Sequence, residues 1–75
     1  MQTIIITGEY IKLQDLLKFA SITSTGGEAK IRIIEGEVSV NGEVCLMRGK
    51  KIRPGDVVAF DGVELEVVAG EGYPA

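Results

Sequence analysis

The chain has 75 residues, 45% of them hydrophobic and 25% charged, with one cysteine, no histidine and a formal net charge of −3. That length supports one domain, 1–75, which buries only about 60% of its unfolded surface on folding. The lone Cys45 excludes an internal disulfide, no apolar run reaches the roughly 20 residues of a membrane span, and "MQTIIITGEY" lacks the zones of a secretory signal. A cytoplasmic monomer with no membrane partner is the expectation.

"TIIIT" at 3–7 is a β-branched run and predicts a buried strand. Leu13, Leu16, Leu17 and Ala20 then recur at i, i+3, i+4 and i+7, which predicts an amphipathic helix over 12–20. "TGGE" at 25–28 has the form of a capping box, with Thr25 as N-cap and Glu28 reaching back to its amide. The second helix then runs to Gly36, with Ala29 and Ile33 on its inner face and Ile31 and Ile34 widening the apolar arc. Lys30 belongs at the rim of that arc, and Glu28 and Arg32 are spaced to pair at i, i+4.

From Val38 the period becomes two. "VSVNGEV" carries an Asn-Gly turn. A three-residue loop, 41–43, would set Val40 against Val44 and Val38 against Leu46, collecting the apolar side chains on one face. In "VVAFDGVELEVV" a two-residue Asp61-Gly62 turn sets Phe60 against Val63 and Val58 against Leu65, with Glu64 and Glu66 outward. The core spans 3–68, and the tail 70–75 reads as frayed. The order of elements predicts an α+β domain, a two-helix hairpin packed on a small antiparallel or mixed sheet.

Catalysis and metal binding find little support. With no histidine, Cys45 and the hydroxyls at 21–25 lack a base, and the carboxylates do not converge in sequence. One cysteine and scattered acids predict no metal site, and nothing calls for a cofactor. Gly26 and Gly27 could present bare amides to a phosphate at a helix start, although no nucleotide-loop motif is present. Pro-Gly-Asp before a β-branched run marks the turn into a strand in many small β-folds, lipoyl and biotinyl carriers among them. Here Met47 is followed by Arg48 rather than a modifiable lysine, and two helices fill the first half of the chain.

Charge is the informative feature. Residues 1–53 hold all eight basic and six acidic residues, a balance of +2, whereas 54–75 hold five acids and no base, a balance of −5. Arg48, Lys50, Lys51 and Arg53 crowd into six positions with no acid between them. Composition leaves two readings equally open, a polyanion-binding loop and a solvated connection between strands.

The ordered set "GGEAK", "EGEVSVNGE", the basic loop and "RPGDVV", within 13–60, resembles an S4 RNA-binding domain. It is most similar to the small stand-alone bacterial S4 proteins of the YaaA/YbcJ type. The resemblance implies an αL-type α+β fold and a non-catalytic module for structured RNA, ribosomal or tRNA-like. Carried over by position, it implies RNA contacts from Lys12 opening the first helix, and from Thr25, Gly26 and Gly27 at the start of the second. Lys30 and Arg32 within the second helix and Arg48, Lys50, Lys51 and Arg53 in the loop complete the implied set. The loop is then expected beside the start of the second helix. Many S4 domains carry Ser-Arg where this chain has Thr25-Gly26, and Arg-Leu-Asp where it has Lys12-Leu13-Gln14. Both departures shift phosphate contact towards 48–53. Only Tyr10, Phe19, Phe60 and Tyr73 are aromatic, too few and too scattered in sequence for a stacking platform, so recognition by backbone shape is expected. The alternative is a protein-interaction domain that uses the basic loop or the acidic C-terminal strands.

Overall fold

The computed structural model describes residues 2–70. Seven strands and two helices follow the chain as β1 (Gln2–Ile6), β2 (Ile11–Lys12), α1 (Leu13–Phe19), α2 (Gly26–Ile34), β3 (Val38–Val40), β4 (Glu43–Val44), β5 (Lys51–Ile52), β6 (Val57–Phe60) and β7 (Val63–Ala69). Five strands form one mixed sheet in the order β1-β7-β6-β3-β4, and β2 pairs with β5 in a separate two-stranded ribbon. The predicted α+β hairpin-on-sheet architecture is what forms. Residues beyond 70 of the tail predicted to fray lie outside the described residues. Gly70 itself donates its amide to the Ile6 carbonyl at 2.7 Å.

Leu13, Leu16 and Leu17 of α1 and Ala29 and Ile33 of α2 are fully buried. They meet Ile6, Val38, Val40, Ile52, Val58, Leu65 and Val67 in one core. Burying each large aliphatic side chain contributes about 1.5–3 kcal/mol, and together they offset the entropy of so short a chain. The arc on α2 is narrower than its sequence implied, since Ile31 and Ile34 are each 55% exposed.

Both helices end in the same way. The Ile22 amide donates to the Leu17 carbonyl and that of Ser21 to Lys18; on α2, Glu37 donates to Arg32 and Gly36 to Ile33. These are paired Schellman-type closures with the residue after the cap in the left-handed region. Gly36 adopts φ 80° there without a steric cost, whereas Ser21 holds φ 61° with a Cβ.

Two strand expectations are corrected. β1 is an edge strand paired in parallel with β7, and Ile5 is 60% exposed, so the run is buried on one side only. In the first hairpin Val40 faces Glu43 and Ser39 faces Val44, the two-residue register. Asn41 at φ 52° and Gly42 at φ 88° form the primed turn that suits strand twist, and turn geometry overrides the count of apolar residues. Cys45 then takes the inward place, its amide donating to the Val38 carbonyl at 3.0 Å. Val44 and Leu46 are left outward beside Gly36, where an added Cβ would meet them at 3.8 and 3.9 Å. The second hairpin has the expected register, Phe60 to Val63 and Val58 to Leu65.

Replacing Ser21 with glycine should relieve the left-handed strain and raise stability by about 0.5–1 kcal/mol, read as a higher urea midpoint at unchanged slope. A lower midpoint would show that the Ser21 side chain contributes more than its backbone costs.

Candidate nucleic-acid interface

No side chain caps the N-terminus of α1, where Lys12 is the N-cap. Its first amides therefore need acceptors from elsewhere. The basic loop supplies them: the Leu13 amide donates to the Lys50 carbonyl at 2.9 Å and the Gln14 amide to the Arg48 carbonyl at 3.0 Å. The β2–β5 ribbon continues this attachment, with Ile11 opposite Ile52 and Lys12 opposite Lys51. These bonds fasten the loop to the start of the first helix, an attachment that neither the charge pattern nor the resemblance had indicated. The second helix has its own cap, since the Thr25 hydroxyl oxygen accepts the Glu28 amide at 3.1 Å. Among the described residues the reciprocal bond from the Glu28 side chain does not form.

Alternation in the ribbon divides its side chains. Ile52 is fully buried and Ile11 packs against the core, so Lys12 and Lys51 share the outer face. Both are exposed. Like charges directly opposite each other destabilise a strand pair by a few tenths of a kcal/mol or more. The Lys51 ammonium lies 5.0 Å from the centre of the Tyr10 ring, a cation–π contact that holds it over an aromatic face. Lys50 turns elsewhere, lining a hollow with Val44, Leu46 and Met47. Arg48 and Arg53 are exposed.

The far end of the loop is clamped as well. Arg53, Pro54, Gly55 and Asp56 form a turn closed by the Asp56 amide on the Arg53 carbonyl at 3.0 Å, with Gly55 at φ 99° as a type II turn requires. The Asp56 carboxylate accepts the Arg53 amide at 2.8 Å and the Asn41 side-chain amide at 3.1 Å. The Asn41 side-chain oxygen in turn accepts the Val57 amide at 2.9 Å. "VSVNGE" and "RPGDVV" are thus two halves of one hydrogen-bonded joint. Asp56 is committed to amide donors, and no ion pair forms between it and the Arg53 guanidinium.

The helix candidates are not bonded to this cluster among the described residues. Arg32 pairs with Glu37 at 3.3 Å, not with Glu28 as its spacing predicted. The hydrogen bond and charge of Glu37 raise the guanidinium pKa above its ordinary value. The Schellman closure brings Glu37 back over the last turn of α2, which explains the change of partner. This is the one ion pair among the described residues. Lys30 is exposed on the same helix, and an added Cβ at Gly26 would meet nothing within 4 Å. No hydrogen bond or ion pair among the described residues joins Thr25, Gly26, Gly27, Lys30 or Arg32 to the loop. Tyr10 is the residue that sequence reasoning missed. Its signal was the two-residue spacing to Lys12, hidden by Gly8 and Glu9, which read as the end of a strand.

A family model for the S4 domain matches residues 4–68. The chain belongs to the S4 domain family. As an S4 domain it is 42% identical over 60 residues to "Putative RNA-binding protein YbcJ" of Escherichia coli K12, covering 80% of this chain and 86% of that one. It is 44% identical over 57 residues to "Probable ribosome maturation protein RlbA" of Bacillus subtilis 168, covering 76% and 80%. The solution structure of E. coli YbcJ, described as revealing an αL motif involved in RNA binding, matches with a TM-score of 0.72 at 38% identity. That match covers 92% of this chain and 89% of the other. The S4 fold and αL architecture implied by the motifs are therefore those of this protein.

Lys12→Gln should remove the opposed positive charge and stabilise the S4 domain by a few tenths of a kcal/mol at low salt. Thermal melts of both proteins should converge as salt rises, because the repulsion is screened. A less stable variant at low salt would show that the Lys12–Lys51 opposition carries no strain.

Proposed function

We propose that this S4 domain is a non-catalytic module that binds structured RNA through its phosphates. The observation that carries this reading is the placement of Lys12 directly opposite Lys51 with no carboxylate partner among the described residues. A fold gains nothing from such a pair, whereas a polyanion gains two closely spaced charges. Arg48 and Arg53 add exposed charge along a loop whose backbone is held at both ends, and Lys50 adds a further cation on its Val44–Met47 side. Such clamping lowers the ordering cost of binding.

The helix residues play a lesser part in this reading. Lys30 offers an ammonium with no ion-pair partner among the described residues and the Gly26 and Gly27 amides an open helix start, while Arg32 must leave or share Glu37 to reach a phosphate. The names given to the E. coli and B. subtilis relatives, RNA binding and ribosome maturation, support RNA as the ligand and ribosomal RNA as its first candidate. A second reading, a protein-docking surface, is favoured by Val44, Leu46 and Met47, exposed by 60–67% beside Lys50. Partners that survive nuclease treatment would support it.

Charge reversal of Arg48, Lys50 and Lys51 to glutamate should abolish binding to a structured ribosomal RNA fragment in a filter or anisotropy assay. The melting temperature should change little, since these side chains are exposed. Unchanged affinity would overturn the proposal. If about four to six phosphates are neutralised, log K should fall against log salt with a slope of about −3 to −5. A slope near zero would exclude the electrostatic mechanism.

A further inference from the structure

The fold gathers two aromatic side chains that the sequence leaves apart. Tyr10 and Phe19 line one shallow cleft of about 360 Å³, with Ile5 and Ile11 along its wall. The cleft continues past Ile11 and Phe19 to Asp15 and Lys18. Phe19 is 63% exposed and Tyr10 39%, large values for apolar rings on a small protein. The cleft borders the cationic ribbon directly, because Tyr10 carries the Lys51 ammonium and Lys51 faces Lys12. Lys18, Lys12 and Lys51 have no ion-pair partner among the described residues, and Asp15 is the one acid lining the cleft.

From this juxtaposition we infer that the Tyr10–Phe19 cleft receives an unpaired nucleobase of the RNA whose adjoining phosphates meet Lys12 and Lys51. The inference rests on the RNA-binding reading above and refines its ligand, from duplex backbone alone to a helix carrying a bulged or looped-out nucleotide. A base suits the site because aromatic side chains stack on any base face, and the neighbouring ammoniums hold the phosphates on either side. An apolar protein segment would use the rings but leave the ammoniums without counter-charge.

The test compares two RNA hairpins that differ only by one bulged 2-aminopurine. Wild-type protein should bind the bulged hairpin more tightly and quench its fluorescence. Phe19→Leu and Tyr10→Leu keep apolar bulk but remove the ring. Each should weaken binding to the bulged hairpin by about 5- to 100-fold. Phe19→Leu should leave the paired hairpin unaffected, whereas Tyr10→Leu, which also removes the ring beneath Lys51, should cost the paired hairpin less than the bulged one. Equal wild-type affinity for both hairpins, without quenching and without effect of the leucine variants, would overturn the cleft assignment and leave RNA binding standing. Equal losses on both hairpins would also overturn it, assigning the rings to the fold or to phosphate contact. If wild type binds neither hairpin, both readings fall. A nuclease-resistant protein partner retained by Phe19→Leu but lost by Phe19→Ala would reassign the cleft to an apolar protein segment.

Discussion

Two backbone hydrogen bonds govern the candidate surface, those from the Leu13 and Gln14 amides to the carbonyls of Lys50 and Arg48. A helix without a side-chain cap must find acceptors, and here they come from a loop more than thirty residues downstream in sequence. The consequence reaches beyond stability. With the peptide carbonyls turned towards α1, the charged side chains are left on the solvent side, and Ile52 anchors the segment in the core. The joint of Asn41 and Asp56 fixes the other end. A segment that composition could describe only as basic is thereby a shaped part of the fold.

This arrangement also reconciles a net charge of −3 with a cationic surface. Among the described residues, the acids after residue 53 (Asp56, Asp61, Glu64 and Glu66) belong to β7 and the turns flanking β6, in the main sheet, whereas the opposed lysines belong to the separate ribbon. Asp56, the acid nearest the cluster in sequence, accepts amide donors instead of pairing with a cation. At physiological salt, charges more than about 8–10 Å apart are largely screened from one another, so local grouping outweighs the total.

What was legible in the sequence was local. The leucine spacing of α1, the Thr25 cap, the Gly36 stop and the Asp61-Gly62 turn each depend on residues within one or two turns of one another, and each formed as read. The first hairpin departs from its expected register because two local rules conflict there, and the turn chemistry of Asn41-Gly42 outweighs apolar alternation. β2 and β5 escaped notice because two-residue strands carry no periodicity, and their pairing joins distant segments. The loop candidates were visible as charge, but their attachment to α1 and their neighbour Tyr10 follow from that unseen ribbon. Arg32 changed partner because the helix closure, not helical spacing, decides which acid returns to it.

The parallel pairing of β1 with β7 has a consequence for how the molecule is made. β7 lies between β1 and β6, so β1, made before the other described strands, has no neighbour in the sheet until β7 has been synthesised. The helix hairpin can form early from local contacts, but Leu65 and Val67, which complete the core, arrive late. Until they do, Ile4 and Ile6 belong to an unpaired strand, a hazard for mispairing between nascent chains. Proteolytic loss of β7 would release β1 as well, stripping two of the five strands from one side of the sheet with a single cut.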